Sequence, residues 1–185
     1  MVLTESDEKL LLQLAEDAVR HGLAHGAPLH PDLSLYPDAL NEPAATFVTL
    51  ERHGHLRGCV GALRAYQALA EDVAEHAFQA AFKDTRFEPL TAGELEDLHI
   101  HISILTEPED MTVDSEEDLL GQLRPGVDGL IIQDGPCRAT FLPSVWESLP
   151  NPKDFLSHLK MKAGIRATHW SDTLKASRYT VVSVP

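Results

Sequence analysis

A chain of 185 residues, 43% of them hydrophobic, can bury one large core or two smaller ones without metal or disulfide staples, and it is not a disordered chain. Its 29 Asp and Glu outweigh 15 Lys and Arg, a net charge of −14 with histidine neutral, which excludes the broad basic surface that non-specific nucleic-acid or anionic-membrane binding requires. The two cysteines, Cys59 and Cys137, are too few for a disulfide framework and lack metal-ligand spacing; Met1 to Glu8 has no basic or apolar signal region, and no window approaches 18 apolar residues, so we expect a cytoplasmic protein with reduced thiols and no nucleic-acid or membrane partner.

The first predicted element is an amphipathic helix capped by Thr4 or Ser6, with Leu11, Leu14, Ala15, Ala18 and Val19 at helical spacing and Gly22 and Gly26 marking its end. From Ala27 to Pro43 four prolines interrupt the pattern, and Leu33, Leu35, Tyr36 and Leu40 are the residues available to pack this irregular connection. Thr46 to Leu50, a turn at His53-Gly54 and a strand from Leu56 predict a hairpin. Gln67 to Lys83 predicts a helix with Ala70, Val73, Ala74, Ala77, Phe78 and Ala81 as its apolar stripe and Asp72 off it. Thr91 and Glu94 have capping-box spacing, and Leu98 to Leu105 alternates Ile100, Ile102 and Ile104 against His99, His101 and Ser103. Ser115 to Leu123 predicts a short helix, and Gly129 to Leu142 a second hairpin turning at Asp134-Gly135. Ser144 with Glu147 predicts another helix start, and Asn151-Pro152 opens a helix buried through Phe155, Leu156, Leu159 and Ala163. Tyr179 to Val184 predicts a last strand. Hairpins mixed with scattered helices imply an α+β fold with largely antiparallel pairing.

Leu56-Arg57-Gly58-Cys59-Val60-Gly61 stands apart, because strands disfavour glycine and this one has two. Simple alternation would put Arg57, Cys59 and Gly61 on one face, with Leu56 and Val60 anchoring the other in the core.

This stretch resembles the L-R-G-C-I-G signature of the AMMECR domain family, whose prokaryotic members are called AmmeMemoRadiSam system protein A. Further matches follow in order: Phe47-Val48-Thr49-Leu50, Arg86-Phe87 with Pro89-Leu90-Thr91, Ile102-Ser103-Ile104-Leu105, Gly126-Val127-Asp128-Gly129-Leu130-Ile131-Ile132, Ala139-Thr140-Phe141-Leu142-Pro143 and Lys162-Ala163-Gly164-Ile165. The resemblance implies one AMMECR-type domain over residues 1–185 with two lobes, each a largely antiparallel sheet with flanking helices. The large lobe would hold both termini and the smaller would be inserted, and the signature strand would face an inter-lobe cleft. The chain departs from the family at Thr85, where a D-P-R-F motif often has proline, and at Lys160, where many members have cysteine. The family's names imply a Memo-like protein and a radical SAM protein as partners, but no established reaction.

The candidate residues are Cys59 as a catalytic thiol and Arg57, Gly58, Gly61 and Arg86 as a ligand-binding set. A guanidinium suits a carboxylate or phosphate, and glycine permits close approach. Each has a structural counterpart: a buried thiol, ion pairs with Asp84 or Glu88, and helix packing on the glycines. His99 and His101, and likewise His53 and His55, share a spacing that metal ligands use, but sequence supplies no further ligand, so no metal site is assigned. Lys162 reads as compensating a helix end, and Trp146 and Trp170 as core or lobe-interface residues rather than stacking platforms. Two functions follow: an enzyme or enzyme component that binds a small molecule or modified peptide beside the Memo-like and radical SAM partners, or a non-catalytic adaptor whose signature strand serves packing or docking. Neither the cofactor nor catalysis itself is decided by these residues.

Overall fold

The computed structural model describes residues 3–185; Met1 and Val2, which open the stretch read above for a leader, lie outside the described residues. The fold is α+β, with two sheet-containing lobes flanked by helices. The chain forms two compact units, one running up to Leu105 and resuming over Val182–Pro185, the other spanning Thr106–Val181.

In the first unit, helix α1 (Glu5–His25) is capped by Thr4, whose hydroxyl accepts the Asp7 N–H at 3.2 Å while its own N–H donates to the Asp7 carboxylate at 2.8 Å. Gly26, at φ 66°, ends it. Gly22 lies inside the helix rather than at its end, because the rings of Phe78 and Phe82 fill the space a side chain would need. The connection that follows holds a single 3-10 turn (Leu33–Leu35) and α2 (Asp38–Asn41). Leu40 is fully buried and Leu33 and Tyr36 pack on the core, but Leu35 is 77% exposed.

Strands β1 (Ala45–Arg52) and β2 (His55–Gly61) form the expected hairpin, turning through His53 and Gly54 at φ 51° and 75°, the double left-handed geometry that matches strand twist. Helix α3 (Leu69–Phe82) follows, then a 3-10 turn (Ala92–Asp97) and β3 (Leu98–Leu105). That turn is the whole of the helix predicted from Thr91, since only six residues precede β3. The sheet order is β2-β1-β3-β8, where β8 is Val181–Val184. One face buries Val48, Leu50, Ile102 and Ile104 beneath α1 and α3.

The second unit contains β4 (Glu109–Met111), α4 (Glu116–Gln122), β5 (Gly129–Asp134), β6 (Cys137–Phe141), α5 (Pro152–Lys162) and β7 (Lys175–Tyr179), with sheet order β4-β7-β5-β6. Leu130, Ile132 and Ala176 pack against Leu119, Trp146, Phe155, Leu156 and Leu159, and Trp146 stacks on Phe155 at 3.8 Å between centroids. Asn151 caps α5 by accepting the Lys153 and Asp154 N–H groups. Ser144 caps nothing: Pro143 begins a single 3-10 turn through Glu147. Gly129 is required by Tyr179, its opposite number on β7, whose ring occupies the space of the missing side chain. The strand expected over Tyr179–Val184 is β8 (Val181–Val184), while Tyr179 ends β7, a strand of the other sheet that the spacing did not predict. The two change over at Thr180, whose N–H donates to the Thr106 hydroxyl at 2.8 Å and whose carbonyl accepts the Thr106 N–H at 2.9 Å. No helix among the described residues is long and apolar enough to cross a membrane.

Candidate functional site

The signature occupies β2, an edge strand of the first sheet. Its register against β1 pairs Val60 with Val48, Cys59 with Thr49, Gly58 with Leu50 and Leu56 with Glu51, leaving Arg57 without an opposite number. That is a β-bulge, and it breaks the alternation. Residues directly opposite share a face, so Leu56 and Cys59 lie on the side of Glu51 and Thr49, and Gly58 and Val60 on the core side. The common face expected for Arg57 and Cys59 does not form. Nor is Leu56 an anchor, being 43% exposed, whereas Val60 does pack on the core.

Both glycines answer a close approach of the chain itself. A side chain at Gly58 would strike the Ala80 carbonyl of α3, and one at Gly61 would strike the Thr46 carbonyl and Phe47.

Cys59 is held by its backbone. Its N–H donates to Asp84 Oδ2 at 2.9 Å, and its carbonyl accepts from Arg86 Nη2 at 3.3 Å. Arg86 closes the motif by donating Nε and Nη2 to the Asp84 carboxylate at 2.9 and 2.7 Å. Two side chains thus take the place of a neighbouring strand at the open edge. The Arg86 N–H also donates to Asp84 Oδ1 at 3.1 Å, so an aspartate turn holds the bend that proline would otherwise stiffen at position 85. The Arg86 guanidinium and these N–H groups hold the Asp84 carboxyl well below the usual carboxylate range. The Cys59 thiol accepts the Thr49 hydroxyl at 3.3 Å, and both cysteines are free and half-buried.

Arg57 makes a two-pronged pair with Glu94, Nε to Oε1 at 2.8 Å and Nη2 to Oε2 at 3.2 Å, and donates to the Glu88 carbonyl at 2.9 Å. Glu94 also accepts Arg52 Nη1 at 3.1 Å and the Thr91 N–H at 2.8 Å. Arg57 first, and then Thr91, lower its pKa to about 2. The Phe87 ring lies beside both Arg57 and Arg86, 5.9 and 5.5 Å from their guanidinium carbons.

The histidine pairs do not converge. His101 faces Glu51 at 3.5 Å and His53 faces Asp97 at 3.6 Å, and among the described residues no three His, Cys, Asp or Glu side chains gather as a metal site. Lys162 donates to the Thr140 carbonyl at 3.0 Å rather than to its own helix end.

Three polar centres escaped the sequence reading. Asp72, expected off the apolar stripe, is fully buried and accepts the Thr46 N–H and hydroxyl at 2.8 and 2.6 Å, with His76 Nδ1 at 3.1 Å. The Thr46 hydroxyl proton is committed to Asp72, so His76 Nδ1 meets only lone pairs and carries the proton. Asp134 gathers Thr173, His169 and Ser171 at 2.7 to 2.9 Å, which lowers its pKa to about 2. Lys160 is fully buried, donating to Glu116 at 2.9 Å with Trp170 at 5.8 Å. Of the residues around the signature, Asp84 was legible as an ion-pair partner for the arginines and holds Arg86, whereas Glu94 gave a signal only as a helix cap and Glu88 offers Arg57 its carbonyl rather than its carboxylate.

The sequence profile described as AMMECR1 matches residues 12–184. A protein of Methanothermobacter thermautotrophicus is 35% identical over 168 residues, covering 88% of this chain and 85% of its own. One of Thermofilum pendens is 34% identical, covering 91% and 84% respectively. The crystal structure of an uncharacterised protein of Pyrococcus horikoshii superposes with a TM-score of 0.90 at 29% identity, over 98% of this chain and 92% of that one. With one profile spanning residues 12–184 and relatives more than 30% identical over more than four fifths of both chains, the chain belongs to the AMMECR1 family.

Proposed function

We propose that this protein is a non-catalytic docking subunit, in which the signature strand is a rigid frame rather than a reactive centre, and that it works beside Memo-like and radical SAM proteins as the family resemblance implies. The observation that carries this reading is that both arginines of the candidate site are engaged inside the chain, Arg57 by Glu94 and Arg86 by Asp84. Cys59 supports it too. The thiol has a hydroxyl rather than a base as its hydrogen-bond partner, so nothing there is placed to take its proton.

The test is reconstitution with a Memo-like and a radical SAM protein. Cys59→Ala should fold, bind its partners and leave turnover within about twofold of the parent, and alkylation of Cys59 at neutral pH should be slow. A Cys59→Ala protein that folds and assembles normally but abolishes turnover would return the strand to the role of an active site. The ligand-binding reading keeps one observation in its favour, the 56% exposure of the Arg86 side chain beside the Cys59 carbonyl. It predicts that a small carboxylate binds the parent protein and not Arg86→Ala, read by chemical-shift changes at Cys59.

A further inference from the structure

Several histidines of this chain are engaged by other groups. His76 meets Asp72 at 3.1 Å and His169 meets Asp134 at 2.9 Å. His53 faces Asp97, His101 faces Glu51, and His158 lies 2.9 Å from the Asp154 carbonyl. His21 and His25 differ. Among the described residues no hydrogen bond or ion pair holds either ring, and the two rings lie against each other instead, with centroids 4.4 Å apart and planes tilted by 40°.

The helix makes this pair. Residues four apart share one face, and helical side chains lean toward the N-terminus, so His25 reaches back over His21 in the last turn of α1. His25 is exposed and His21 half-buried, which leaves the pair open to solvent. Asp17, one turn further back, is held by Gln13 at 3.0 Å and does not join them as a third ligand.

The donors and their setting suit a metal ion. Neutral imidazole is a preferred ligand of zinc, nickel and copper, and two helix histidines at this spacing can hold one ion between them. A tetrahedral ion about 2.0–2.1 Å from each nitrogen sets the ring centroids about 5 Å apart. The observed 4.4 Å therefore needs an opening of less than about 1 Å, by rings that nothing else restrains. The closing carbonyls of α1 put the negative end of the helix dipole beside the pair, and a net charge of −14 draws dications.

We propose that His21 and His25 form a surface site for one divalent ion of the zinc, nickel and copper class, with water in the remaining positions. Magnesium and calcium do not fit, because they take oxygen ligands. The site stands apart from the docking reading above and neither depends on it nor supports it.

The test adds Zn²⁺ to the protein in a buffer with excess Mg²⁺, which fills carboxylate sites, and follows the imidazole C–H resonances by NMR beside calorimetry. The parent should bind Zn²⁺ at this pair, with the His21 and His25 resonances shifting together while those of His30 and His99 stay in place. His25→Ala should weaken that binding about tenfold or more, since a single imidazole is left. His25 is exposed, so this variant should keep the parent's circular dichroism. His21→Ala should weaken binding in the same way. His30→Ala combined with His99→Ala, both exposed in the parent, should bind as the parent does. Equal binding by His25→Ala, shifts confined to other histidines or to the surroundings of Cys59 and Cys137, or no shift in the presence of Mg²⁺ overturns the site.

Discussion

Asp84 does more for the signature strand than any residue within it. Its carboxylate takes one N–H from Cys59 and three from Arg86, and 6% of its side chain is exposed. Asp84→Asn keeps the shape but removes the charge, and should cost about 2 kcal/mol in chemical denaturation. Acid stability follows from the same groups. Unfolded, Asp84 and Glu94 have pKa values of 3.8 and 4.5; folded, both are depressed. Depressed carboxyls contribute stability that is complete above about pH 5 and is lost as pH falls through their folded values, near or below about 2. Tm measured from neutral pH down to about pH 3 should therefore fall less in Asp84→Asn and Glu94→Gln than in the parent. Gly58→Ala tests the other constraint on this strand. Its new methyl group meets backbone rather than a yielding side chain, so α3 must move, and a loss of about 2 kcal/mol or more is expected.

At the scale of elements, the bulge at Arg57 decides the geometry of β2. Without it Arg57 would point with Cys59; with it, Arg57 reaches Glu94 and β2 can be tied to the segment after α3. Helix α5 shows a second device, the buried Lys160 held by Glu116 from α4. The two partners are unequal, because Glu116 keeps 28% exposure and Lys160 none. Lys160→Met leaves a carboxylate that water can reach and fills the space with apolar volume, so stability should change by less than about 1.5 kcal/mol. Glu116→Gln leaves a buried ammonium facing a neutral amide and should cost about 3 kcal/mol. Denaturation of the two variants side by side checks the asymmetry, and equal losses would reject it.

The molecule as a whole combines two cores, one under α1 and α3 and one around Trp146 and Phe155, with a surface that repels itself at net charge −14. Screening that repulsion should raise Tm by a few degrees between low salt and about 0.2 M, measured by calorimetry. Much of this organisation was legible in the residues. Periodicity located α1, α3, α5, both hairpins and β3, since apolar spacing and turn chemistry are local properties, and the ordered motifs identified the family. Charge counting located the excess of acid. Three things lay beyond it. The bulge that separates Arg57 from Cys59 depends on register with β1, and the strand change at Thr180 on which sheet each half joins. The carboxylates that meet Arg57 and Lys160 and the Thr46 that meets Asp72 lie on other elements, and a partner close in space but distant along the chain leaves no mark on the spacing of the residue it satisfies. Sequence by itself determined the long helices, the two hairpins and β3, and which residue types are available; only the tertiary structure decided where β4 and β7 form and which distant charges meet, because both are set by distance in space and not along the chain.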